Sequence, residues 1–141
     1  MAVTTDAIIF EALQARLRTM PGVLPIAGPN VTFPAAGQTK PDKYLKVDFL
    51  PNRTRQVTLG DDPQQKIGIM QVSVMWPVGK GILDGLEVAG AIVNRFKNET
   101  LFASDVRITI SSEPWAASPL QDTDRLMIPV SIPYIAFEPE A

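Results

Sequence analysis

Apolar residues recur along this chain with two different periods. From about residue 6 to 20, Ile9, Phe10, Leu13 and Leu17 return every three or four positions, which sets them on one stripe of a helix. Thr5 or Asp6 stands where a cap is needed, Arg16 and Arg18 suit the C-terminal end, and Pro21-Gly22 stops it. A second helix is predicted over about 82–97, with Ile82, Leu86, Ala89, Val93 and Phe96 as its stripe and Arg95, Lys97 and Asn98 at its close. Gly85 and Gly90 inside it each cost about 1 kcal/mol relative to Ala. Close approach of that helix to its packing partner is the expected reason.

Elsewhere the period is two. Leu45, Val47 and Phe49 alternate with Lys46 and Asp48 in Tyr44–Leu50, and Met70, Val72, Val74 and Trp76 alternate with Gln71, Ser73 and Met75 in Lys66–Trp76. Two further strands follow, one carrying Val106, Ile108 and Ile110, the other Leu126, Ile128, Val130 and Ile132. Pro129 and Pro133 lack N–H groups that would point toward one and the same neighbour, so the last strand is expected at a sheet edge. Residues 21–42 hold Pro21, Pro25, Pro29, Pro34 and Pro41, leaving room only for a short extended piece near Val31–Phe33.

These elements predict an α+β two-layer sandwich: a mixed or antiparallel sheet of about four main strands, polar outside, with two helices on its apolar face. The whole chain, 1–141, forms a single domain. Between the first two main strands lies Pro51–Gln65, a polar stretch of 15 residues where about 4–6 are usual. It is expected to protrude as a loop or arm. Val57 and Leu59 within it are poorly accounted for as solvent-exposed coil.

Composition narrows the chemistry. The chain has 141 residues, 45% hydrophobic and 20% charged, with Cys 0 and His 0. Without these two residue types there is no Ser–His or Cys–His nucleophile pair, no thiolate, and no Cys/His zinc site. Carboxylate, Lys, Tyr or Ser chemistry remains, or none. Met1–Leu13 has no basic leader, and Asp6 and Glu11 interrupt its apolar stretch, so no targeting segment or membrane span is expected. The net charge of −2 is unevenly spread: residues 1–97 carry 11 basic and 8 acidic side chains, whereas residues 98–141 carry Arg107 and Arg125 against seven carboxylates. Such a split reads either as complementary faces for subunit contacts or, more simply, as two ordinary solvated surfaces.

Candidate sites are sparse. Gly79-Lys80-Gly81 lacks the spacing of a phosphate loop and reads as a turn before a helix. Asp61-Asp62, Asp122 with Asp124, and Asp84 with Glu87 are carboxylate pairs outside any complete ligand set. Lys40, Lys43, Lys46, Arg53, Arg55 and Lys66 cluster near Tyr44, but Asp42, Asp48, Asp61 and Asp62 interleave with them and weaken a nucleic-acid reading. Trp115, after Pro114, is either a lid on the core or an interface anchor. No catalytic, cofactor-binding or metal-binding set is assigned.

Taken in order, several segments belong together: the helix ending at Pro21, Tyr44-Leu45-Lys46-Val47 leading to Pro51, Thr58-Leu59-Gly60, and Gly68-Ile69-Met70-Gln71-Val72-Ser73-Val74. Trp76-Pro77-Val78-Gly79-Lys80-Gly81, the helix closing at Phe96, and Arg125 followed by Ile128-Pro129-Val130-Ser131-Ile132-Pro133-Tyr134 complete the set. The succession resembles the tail terminator (tail-completion) proteins of long-tailed bacteriophages. That resemblance implies a structural, non-enzymatic protein without cofactor. It would form a homo-oligomeric ring, expected to be hexameric, that caps the tail tube, ends polymerisation and joins the head-side connector. DNA only passes through the lumen. The expected location is the head-proximal end of the virion tail, with assembly in the bacterial host cytoplasm. Arg53, Arg55, Val57, Leu59, Asp61, Asp62, Lys66 and Trp115 are the candidate contacts with other subunits or the tube. A neck or head–tail connector subunit is the nearest alternative. A small nucleic-acid-binding α/β module and a carboxylate enzyme are alternatives of other classes.

Overall fold

The structure is a computed structural model that describes residues 4–34, 36–37, 39–51, 55–56, 64–121 and 125–137. Two helices, α1 (Thr5–Arg18) and α2 (Leu83–Phe96), accompany a mixed sheet. Its strands are β1 (Ile26–Ala27), β2 (Tyr44–Pro51), β3 (Arg55–Gln56), β4 (Gln64–Pro77), β5 (Thr100–Ala103), β6 (Val106–Ile110), β7 (Trp115–Ala116), β8 (Leu120–Gln121) and β9 (Arg125–Phe137). The α+β class is as expected, but the sheet has nine strands among the described residues rather than about four. The added ones are short. They pair along flanks that periodicity over four to eight residues cannot register.

The order across the sheet is β1-β2-β4-β9-β6-β5, with β3 on β4 and both β7 and β8 on β9. β1 runs parallel to β2, and the other pairs are antiparallel. The expected extended piece near Val31–Phe33 is instead β1 at Ile26–Ala27.

The last strand is central, not an edge. β9 pairs with β4 along its whole length, from Gln65↔Phe137 to Pro77↔Arg125. Its other flank carries the two prolines, and their missing donors cut that flank into pieces. β6 meets residues 134–137, β7 meets Val130 and Ser131, and β8 meets Leu126 and Met127. Ser111 N–H donates to the Pro133 carbonyl at 3.2 Å and Ala117 N–H to the Pro129 carbonyl at 2.7 Å. Neither proline has an N–H to return, so the ladder breaks at each. The prolines divide the neighbouring strand without excluding it.

One face of the sheet is closed by the helices. Leu45, Val47, Met70, Val72, Val74, Ile128, Val130 and Ile132 are buried there under Ile9, Leu13 and Leu17 of α1 and Ala89, Ile92 and Phe96 of α2. The α2 stripe is rotated from the expected one: Ile82 and Leu86 are exposed, while Gly85 and Ile92 face the core. A Cβ on Gly85 would lie 2.9 Å from Ile128 Cδ1, so this glycine does permit close approach, whereas a Cβ on Gly90 meets nothing within 4 Å. Gly90→Ala is therefore expected to stabilise the protein by about 0.5–1 kcal/mol. Gly85→Ala should gain less or lose, and urea denaturation of both variants measures the difference.

The C-terminal ends of the helices brace each other. Arg16 Nε donates to the Arg95 carbonyl at 2.9 Å, and Arg95 Nε donates to the Arg16 carbonyl at 3.1 Å. Each cation thereby satisfies a carbonyl at the end of the other helix. Arg16 also pairs with Glu99 at 2.8 Å, and Lys97 with Glu113 at 2.9 Å. Two carboxylates of the acidic C-terminal segment are thus neutralised within the chain. The two halves of the sequence also interleave in one sheet through β4 and β9, so the charge split does not divide the molecule into two faces.

Tyr134 lies over Gly68, its cross-strand partner, with its ring stacked on Phe49 at a centroid distance of 5.8 Å. Among the described residues its buried hydroxyl has no hydrogen-bond partner. Burial, and then the charge of Asp6, push its ionisation well above the ordinary tyrosine range. The unfolded chain releases this proton near pH 10 while the folded chain keeps it. Stability should therefore fall as pH rises above about 10, by up to about 1.4 kcal/mol per pH unit from this group. Tyr134→Phe removes that contribution, and at pH 7 it should equal or exceed the wild type in stability, by about 1 kcal/mol at most. Paired denaturation curves at pH 7 and between about 9.5 and 11 test both statements.

Candidate functional site

The opposite face of the sheet carries no helix, and the alternation of β2, β4 and β9 decides what it presents. Odd positions of β4 and β9 point there, together with even positions of β2. At the end bearing Arg125 the row is Tyr44, Met75, Met127 and Leu120; at the end bearing Phe137 the rows bring together Leu50, Ile69 and Pro133, then Ile67 and Ile135. Between them runs a polar belt of Lys46, Ser73, Asp48, Gln71 and Ser131. The expected polar outside is thus confined to the middle of the strands, and both ends are apolar on both faces. Leu50, Leu120 and Phe102 are exposed, the last at 76%.

The Arg125 end is built around an aromatic ring. The Arg125 guanidinium sits 5.6 Å and the Lys40 ammonium 5.4 Å from the centre of the Tyr44 ring, and Phe33 packs against the same ring at 5.0 Å. Arg125 is held by two backbone carbonyls, donating from Nη1 to Asp42 at 3.0 Å and from Nη2 to Pro41 at 3.2 Å. Beside it opens a recess of about 390 Å³ lined by Lys40, Tyr44, Met75, Leu120, Gln121, Arg125 and Met127. Its lining mixes apolar side chains with polar ones, and among the described residues its charged groups are cations. At the other end Arg107 lies 5.0 Å from the centre of the Phe137 ring.

A second exposed apolar cluster sits across the sheet from this recess, at the start of α2: Val78, Ile82, Leu83 and Leu86. Leu83 is 71% exposed. Asp84 and Glu87 are exposed beside it. Gly79 and Gly81 take positive φ, 86° and 74°, so Gly79-Lys80-Gly81 is the turn that launches the helix.

The sequence-predicted contacts divide sharply. Trp115 lies on the uncovered face opposite Ser131 and is 48% exposed, so it is no lid on the core. Lys66 pairs with Ala136 and falls at a helix-side position of β4, on the other face from Trp115. Arg55 belongs to β3, opposite Gln65. Arg53, Val57, Leu59, Asp61 and Asp62 lie outside the described residues, as do Asp122 and Asp124. The long connection is narrower than expected: β2 continues through Pro51, and Arg55–Gln56 pairs with Gln65–Gln64. Sequence reasoning missed Tyr44, Met75, Leu120, Arg125 and Met127. The available signal was that Met75 and Met127 occupy positions on the face expected to be polar.

Among the described residues no three acidic side chains gather where they could hold a metal ion, and no helix is long and apolar enough to cross a membrane. Comparison with known proteins supplies the rest. No curated protein matches the chain. A solved structure that bears only a sequence identifier superposes with a TM-score of 0.76 at 24% identity, covering 98% of this chain and 100% of the other, and so shares its fold. The profile of the phage tail terminator protein family matches residues 8–134. The chain belongs to the phage tail terminator family, and is a virion-associated structural protein of the phage tail.

Proposed function

We propose that the protein assembles head to tail into a closed ring, expected to be hexameric, that caps the tail tube. The ring stops tube polymerisation and forms the joint to the head-side connector, and DNA passes through its lumen unread. The observation that carries this reading is the presence of two unlike exposed apolar surfaces on one subunit. One is the helix-free sheet face; the other is the start of α2 on the opposite side. A closed cyclic assembly needs two different mating patches, whereas a two-fold dimer needs one patch that fits itself. Exposed patches of this kind on a small domain mark contact surfaces.

The test is molecular mass in solution followed by negative-stain imaging with tail tubes. Rings seated on tube ends, with tubes no longer lengthening, are the expected result. Rings bound only to heads or connectors would support the neck-subunit alternative, and bare tube ends would overturn the reading.

A further inference from the structure

We infer that the ring contact is made by the α2 face of one copy seated in the Arg125-end recess of the next. This inference rests on the ring reading above and names its mating surfaces. The two patches match in kind and oppose in charge. Leu83, with Ile82 and Leu86, offers protruding aliphatic side chains flanked by the exposed carboxylates of Asp84 and Glu87. The recess offers an apolar floor of Met75, Met127 and Leu120 beneath the cations of Lys40 and Arg125. Among the described residues, Lys80 in the preceding turn and Asp42 beside the recess soften the contrast without reversing it. Carboxylate against guanidinium fixes orientation, and desolvated aliphatic contact supplies affinity.

Position favours the same pairing. Gly85 lies against Trp76 and Ile128, so α2 begins at the Arg125 end of the sheet on its helix side, while the recess opens at that end on the bare side. Gln121 borders both patches, so each copy presents them on different sides of one end of the sheet. The helix side of one subunit then meets the bare side of the next. Repetition of that step is head to tail, the kind of contact that gives a ring where the rotation between copies closes.

The chain contains no cysteine, so introduced thiols report without background. Leu83→Cys and Leu120→Cys both alter exposed side chains. With a short bis-maleimide linker, the double variant should give a ladder of linked species ending at the ring size. Each single variant alone should give no linked dimer, and a mixture of the two singles should give dimer only. Adding Asp84→Lys and Glu87→Lys to the Leu83→Cys chain should cut dimer yield in the mixture at least tenfold. Lys40→Glu in the Leu120→Cys partner should restore it. Linking by Leu83→Cys alone as strongly as by the double variant would overturn the inference in favour of helix against helix. Capped tubes with no ladder overturn the interface and leave the ring reading standing. A ladder with bare tube ends does the reverse, and the absence of both overturns both.

Discussion

Gly68→Val is expected to destabilise the protein by about 3 kcal/mol, a large share of the ~5–15 kcal/mol that holds an ordinary domain together. A Cβ at this position would lie 2.8 Å from both the Leu50 carbonyl oxygen and Tyr134 Cζ, and closer still to the Tyr134 hydroxyl. Neither neighbour has room to retreat. The carbonyl belongs to the backbone of β2, whose residues Tyr44–Pro51 all pair with β4. The Tyr134 ring is pinned by Phe49, which in turn touches Phe10 of α1 at a centroid distance of 5.2 Å. Moving Tyr134 therefore disturbs the seat of α1 on the sheet. Glycine in a strand interior ordinarily weakens it, but here it makes space for a ring from the next strand. Urea denaturation gives the magnitude, and a loss below about 1 kcal/mol would refute the argument. Tyr134→Ala should cost less in the Gly68→Val background than in the wild type, because the two substitutions share one volume and are not additive.

That pairing marks the boundary of what the sequence makes legible. Periods of two and 3.6 located both helices and the four long strands to within a few residues, because each buries one stripe or face and the apolar residues must follow it. The rotation of α2 was not legible in the same way. Close approach at Gly85 is expected from the sequence and is found, but Leu86 is expected in the core and is exposed, because hydrophobicity alone does not show which apolar side chain the sheet receives. The position of β9 was misread for a related reason. Pro129 and Pro133 do remove donors from one flank, but that flank can be covered by β6 and two short strands that end where the donors are missing. Strands of two residues leave no periodic trace.

The candidate surface was less legible than the fold. Trp115 stood out as a large aromatic in a polar stretch and is exposed on the bare face. Arg125 and Lys40 lie 85 positions apart in sequence and meet only over the Tyr44 ring, a contact fixed by the pairing of β2 and β9 on either side of β4. The charge split misled because it was read along the chain, whereas β4 and β9 lie side by side. Local charge at each end of the sheet, rather than in each half of the sequence, is the quantity that bears on assembly.

Replacing residues 57–63 by Asn-Gly is expected to leave a folded protein that no longer caps tubes. These residues lie outside the described ones, so the expectation rests on their sequence and on the strands that flank them. Gln56 and Gln64 face each other in the β3–β4 ladder, and a two-residue type I′ turn suits the join between paired strands. The exchange therefore spares the ladder and every buried core residue among the described ones. It removes Val57 and Leu59, two apolar side chains in a polar segment, along with Asp61 and Asp62. Apolar residues in a polar connection of this length are accounted for by burial against another chain, here a neighbouring subunit or the tube. The recess and the start of α2 lie at the opposite end of the sheet, so the contact between copies proposed there should survive. Thermal unfolding should change little, whereas tails should lose their uniform length and tube ends should be bare in negative stain. Ring-capped tubes of normal length from the shortened protein would show that this segment has no part in termination.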